Sequence, residues 1–230
     1  MISGSKGIDD MKLMVCANLD VGGLPAIDLA SGKIAKWQED KIEALAAALG
    51  DAKEKGVEAC VIAGGLFAKG FVAQRLLTET FEEAGCHDMP VYYAPIAGEL
   101  AGAADRMPQV EGVRIAEAGD DGKTAIVIDA AELVIPIIEG TELDEIEAVA
   151  RPSEALAIIR SGGDIGASLA SGSEFMRLGP LGPSAFGEKL KSGYLIVDVA
   201  DGKVVGEWVE MATHPFVVHE VVLDGKELEE

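Results

Sequence analysis

Lys12-Leu13-Met14-Val15-Cys16-Ala17-Asn18-Leu19-Asp20-Val21-Gly22 begins as an apolar run and ends in a polar, glycine-bearing turn. A run of this kind is predicted to be a strand buried on both faces (residues 12–17), because parallel strands covered by helices lose the in–out alternation. The pattern returns twice. Residues 58–63 lead into Ala63-Gly64-Gly65-Leu66-Phe67, and residues 91–94 lead into Pro95-Ile96-Ala97-Gly98-Glu99. Between the first two runs, Ile42, Leu45, Ala46, Leu49 and Ala52 recur at helical spacing. Asp40 with Glu43 reads as a capping box that opens this helix, and Gly56 as the residue that ends it. A second helix is expected over residues 72–84. Strand, helix, strand, helix, strand predicts an α/β protein with a parallel sheet under helices.

The second half reads as richer in β structure. Residues 113–116 and 124–128 flank Asp120-Asp121-Gly122, which suggests a hairpin turn. Residues 133–138 suit a strand and 153–160 a helix stopped by Gly162-Gly163. Residues 193–199 and 203–211 pair around Asp201-Gly202, with a further strand over 216–223. One domain over residues 11–223, β-rich from about 174, is expected between an N-terminal arm (1–10) and an acidic tail (224–230).

Composition excludes several classes. The 230 residues are 49% hydrophobic but only 5% aromatic, which suits a packed core better than a binding surface rich in Tyr and Trp. Nineteen Lys plus Arg against 40 Asp plus Glu give a net charge of −21, so direct nucleic-acid binding is not expected. Cys16, Cys60 and Cys86 lack metal-type spacing, and the first two fall in apolar runs, as buried free thiols do. Reduced thiols point to the cytoplasm, and no apolar stretch is long enough to span a bilayer. Gly64-Gly65-Leu66-Phe67-Ala68-Lys69-Gly70 lacks the order of a phosphate loop. Cys86-His87-Asp88 reads as a helix-to-strand loop, since adjacent residues do not arrange themselves as nucleophile, base and orienter. Trp37 and Trp208 read as packing residues.

The three turns resemble the first three motifs of the calcineurin-like metallophosphoesterases, in particular the SbcD-type exonuclease branch, which read D-x-H-x-G, G-D-x-F and G-N-H-D/E. A later stretch, Leu178-Gly179-Pro180-Leu181-Gly182-Pro183-Ser184-Ala185-Phe186-Gly187-Glu188, is similar to the SbcD-type run G-S-P-x-P-T-S-F-G-E. Thr213-His214-Pro215-Phe216 likewise resembles the family's T-R-P-F, after which the family carries a segment that engages its ATPase; this chain ends at Glu230. The resemblance implies a metallophosphoesterase-like layered β-sheet sandwich flanked by helices.

In that family Asp, His and Asn side chains at the strand ends hold two metal ions that activate a hydroxide against phosphorus. Carried over by resemblance, the first Asp is Asn18 and the first His is Asp20. The bridging Asp is Gly65, the Asn ligand Ala97, the catalytic His Gly98 and the closing acidic position Glu99. Asp129, Ala170 and Gly172 fall where three later histidine ligands belong. Gly and Ala have no donor atom, so the resemblance implies a degenerate centre without cofactor. The oxygen-bearing set Asn18, Asp20, Glu99 and Asp129 leaves the alternative of one divalent cation (Mg, Mn or Ca) and a rebuilt phosphoesterase or nuclease site. Against it stands the plainer account of polar residues at strand ends facing water. The resemblance also implies a homodimer and an SbcC-type ATPase partner. Phe71, Leu76, Leu77 and Phe81 are read as more apolar surface than the sheet requires.

Overall fold

The computed structural model describes residues 11–24, 31–95, 98–100, 103–116, 124–128, 133–139, 157–160, 175–178, 180–182, 192–200 and 203–211. In chain order these form β1 (Met11–Cys16), α1 (Ser31–Glu54), β2 (Ala59–Ile62), α2 (Gln74–Gly85) and β3 (Val91–Tyr93). A 3₁₀ turn (Ala104–Arg106) leads to β4 (Val113–Ile115). Then follow β5 (Thr124–Ile128), β6 (Leu133–Glu139), β7 (Ala157–Arg160), β8 (Phe175–Leu178), β9 (Gly193–Ala200) and β10 (Lys203–Glu210).

One sheet has the order β10-β9-β1-β2-β3-β4. Its β1 to β4 half is parallel, and β9 joins β1 antiparallel. Successive residues of a strand point to opposite faces, so the apolar runs feed two cores. Met14, Cys16, Cys60, Ile62 and Tyr93 pack against Leu45 and Leu49 of α1 and Leu77 and Phe81 of α2. Leu13, Val15, Val61 and Tyr92 pack on the other face with Leu195, Val197 and Leu178, the last residue of β8. Each fully buried aliphatic side chain contributes about 1.5–3 kcal/mol relative to exposure. The rings of Phe67, Phe81 and Tyr93 lock together, with centroids 5.8 to 6.1 Å apart.

The first helix ends as expected. Gly56 has φ +75°, its N–H reaches the Lys53 carbonyl, and the Val57 N–H reaches Ala52. That bond pair, with Val57 and Ala52 both in the core, is a Schellman closure. The start differs: α1 opens at Ser31, nine residues before Asp40. Asp40 is mid-helix and pairs with Lys36 at 2.9 Å, one turn away. Ile34, Ala35, Lys36 and Gln38 are adequate helix formers, and nothing in them halts the helix before Asp40.

Three other expectations are corrected. No hairpin joins residues 113–116 to 124–128: β4 pairs parallel with β3, whereas β5 pairs antiparallel with β6 in a separate sheet, β5-β6-β7-β8. The Asp120–Gly122 turn lies outside the described residues. Within 153–160, Ala157–Arg160 is strand β7, parallel to both β6 and β8. Adjacent β-branched Ile158 and Ile159 favour that outcome once partner strands exist. Leu76, Leu77 and Phe81 are buried core and only Phe71 of the four is exposed, so the apolar surplus is smaller than the sequence suggested. The strand expected over 216–223 lies outside the described residues. Among the described residues no helix is long and apolar enough to cross a membrane.

Candidate functional site

Beyond the carboxyl ends of β1 and β2 the two chain segments stay paired. The Asn18 N–H donates to the Gly64 carbonyl (3.1 Å), Asp20 to Gly65 (2.8 Å) and Val21 to Leu66 (2.8 Å). The Ala68 N–H returns to the Val21 carbonyl at 2.9 Å, and Val21 with Phe67 forms a parallel bridge. The first two turns are therefore one structure. Asn18 and Asp20 both have φ 58°, and Gly64 and Gly65 have φ 74° and 66°. Asn and Asp tolerate the left-handed region better than other side chains, which suits both to these positions.

Glu99 supplies the third turn. It follows Gly98, whose φ of 81° turns the chain back toward the sheet, and its side chain is wholly buried. Oε2 accepts the Gly65 N–H at 3.0 Å and Oε1 accepts the Phe67 N–H at 2.8 Å. Both carboxylate oxygens are thus engaged by backbone donors of the second turn, which satisfies this buried polar side chain.

The first turn is also held from the helix side. Gln38 takes the Gly22 N–H at 2.6 Å and gives its amide N–H to the Gly23 carbonyl at 2.7 Å. Lys41 donates to the Asp20 carbonyl at 2.6 Å, its ammonium 3.7 Å from the Asp20 carboxylate and 5.3 Å from the Trp37 ring centre. Gln38 and Lys41 are each only 5% exposed. The Lys41 ammonium thus lies buried beside the Asp20 carboxylate. Gly23 is favoured by close approach, since a Cβ there would lie 2.9 Å from the Asp20 backbone carbonyl oxygen.

Among the proposed site residues, Asn18, Asp20, Gly65, Gly98 and Glu99 come together at this edge. Ala97, Asp129, Ala170 and Gly172 lie outside the described residues. Gln38 and Lys41 escaped sequence reasoning. Their signal was positional: they precede Leu45 by seven and four residues, on the face that α1 buries. Cys16 and Cys60 are buried free thiols. The Cys16 contact and burial push the Cys60 thiol well above its usual range, so this pair is structural.

No family model matches the chain, and no curated protein matches it. Solved structures do. TT1561 of Thermus thermophilus superposes with a TM-score of 0.55 at 12% identity, over 86% of this chain and 98% of that one. A single mutant of Vps29 from Entamoeba histolytica gives 0.44 at 11% identity, over 88% and 100%. NAD nucleotidase of Haemophilus influenzae gives 0.41 at 9% identity, over 88% of this chain and 54% of that one. The mixed six-stranded sheet with its flanking helices matches the first of these over nearly its whole length, and the chain has an α/β fold of the calcineurin-like metallophosphoesterase kind.

Proposed function

We propose that this chain is a non-catalytic relative of the SbcD-type phosphoesterases that works through binding or assembly. The observation that carries the reading is the engagement of both Glu99 carboxylate oxygens by the Gly65 and Phe67 amides. The position assigned to the bridging ligand has no side chain, and the acidic residue at the end of the third motif is turned inward to the backbone. Lys41 beside Asp20 adds electrostatic resistance to a divalent ion at the same edge.

Hydrolysis of bis-p-nitrophenyl phosphate, followed in Mg²⁺, Mn²⁺ and Ca²⁺ in turn, tests this reading. The expected result is no turnover above buffer. Metal-dependent turnover abolished by Asp20→Asn would instead establish the rebuilt site around Asn18, Asp20, Glu99 and Asp129. The assembly role carries two further proposals, a homodimer and an SbcC-type ATPase partner. Sedimentation equilibrium checks the first: a chain that stays at 23.9 kDa at high concentration removes it.

A further inference from the structure

The only group of three His, Cys or acidic side chains with converging donor atoms among the described residues lies away from the degenerate edge. It sits where α2 ends. In a β-α-β unit the helix returns the chain to the amino edge of the sheet, so the turn between α2 and β3 lies at the end opposite Asn18 and Glu99. Glu83 Oε1 is 3.0 Å from His87 Nε2 and 3.5 Å from Cys86 Sγ, and all three donors lie within 4.8 Å of one another.

The two separations from Glu83 are close to those between ligands of a tetrahedral ion. With metal–sulfur and metal–nitrogen or –oxygen bonds of about 2.0–2.3 Å, neighbouring ligand atoms stand roughly 3.3–3.6 Å apart. The turn is also held in place. The Cys86 N–H donates to the Glu83 carbonyl at 3.3 Å, and Lys53 of α1 donates to the Asp88 carbonyl at 2.7 Å. Beside the cluster an open groove of about 530 Å³ runs between α1 and α2. Glu39, Glu43, Glu79 and Glu82 line it with Glu83 and Cys86, against one lining cation, Arg75. Such a wall attracts cations and offers a way in. The carbonyl end of α2 adds its own negative potential.

We infer that Glu83, Cys86 and His87 form a site for a thiophilic divalent ion of the zinc class. Sulfur and imidazole donors disfavour Mg²⁺ and Ca²⁺, which take oxygen shells, and suit Zn²⁺. On binding, the Cys86 thiol releases one proton to solvent and becomes the thiolate ligand. The imidazole would bind through Nε2, which exchanges its bond to Glu83 for one to the metal. Solvent completes the fourth position. This site is separate from the degenerate edge, and its fate does not depend on whether that edge is catalytic.

The test uses the full chain, freed of any affinity tag, stripped with chelator and dialysed. Added Co²⁺ should give the visible bands of a tetrahedral ion and a thiolate charge-transfer band, and Zn²⁺ should displace it at one ion per chain. Cys86→Ser should abolish the charge-transfer band. Glu83→Gln and His87→Gln should each weaken binding at least about tenfold, since even outer ligand contacts are worth that much. In the unmodified chain, Zn²⁺ should shield Cys86, the exposed thiol, from alkylation. Absence of the charge-transfer band, Cys86→Ser binding as tightly as the parent, or alkylation indifferent to Zn²⁺ would each overturn the assignment.

Discussion

The phenol of Tyr194, buried on β9, donates to the carboxylate of Asp51 on α1, 143 residues away in sequence. Lys55, just past the end of α1, pairs with the same carboxylate. The bond ties the antiparallel edge of the sheet to the helix that covers it, and it has a pH signature. Burial and Asp51 raise the Tyr194 hydroxyl above its usual value, while Lys55 and then Tyr194 lower Asp51.

For Tyr194 the raised folded value means a contribution fully present below about pH 10, the unfolded value, and lost as pH rises through the folded one. For Asp51 the lowered value means a contribution present above about pH 4 and lost as pH falls through the folded value. Tyr194→Phe should therefore cost stability across neutral pH, with the gap to the parent narrowing at both extremes. Because Asp51 is 40% exposed, the neutral-pH loss should be near the low end for such bonds, about 1 kcal/mol. Urea unfolding at a series of pH values measures it, and a gap that widens above pH 10 would contradict the assignment.

Glu99 should behave as a structural residue. Glu99→Ala leaves the Gly65 and Phe67 amides without their acceptor in a buried place, so a loss of about 1.5–3 kcal/mol is expected. Glu99→Gln should not rescue it, because the amide turns a donor onto one of two donors. Chemical denaturation of both variants decides the matter; an unchanged midpoint would show that the bonds contribute nothing.

Gln38 and Lys41 should matter locally more than globally. Gln38→Ala strips partners from the Gly22 N–H and the Gly23 carbonyl, at about 1 kcal/mol. Hydrogen exchange at Gly22 and Gly23 should quicken while exchange in β2 stays as in the parent. Equal acceleration at both places would mean that the helix does not pin the turn.

Duplex and single-stranded DNA should not bind at physiological salt, since a net charge of −21 opposes phosphate neutralisation. Fluorescence anisotropy with labelled oligonucleotides suffices, and micromolar affinity that weakens with added salt would reveal a local basic surface.

The first half of the fold was legible because its signals are local. Leu45, Leu49 and Ala52 carry the helical period, Gly56 marks a helix end, and apolar runs mark β1 to β3. Ala157-Ile158-Ile159-Arg160 reads wrongly as helix because four residues fit either period, and only the neighbours β6 and β8 decide between them. The pairing of β4 with β3 rather than β5 is equally non-local. At the site, the sequence could nominate Glu99 as an acidic position but not reveal that its partners are main-chain amides. Lys41 carried no motif at all; its meaning comes from the 21 residues that the chain travels before it meets Asp20 again.

The inward carboxylate at position 99 also constrains position 65, because its Oε2 is already 3.0 Å from the Gly65 nitrogen. Any side chain placed at position 65 would have to be fitted around that bond. It would also sit on backbone at φ 66°. Removing Glu99 would strand two buried amides. Residues 65 and 99 are therefore coupled: a change at either one is felt through the same pair of buried bonds.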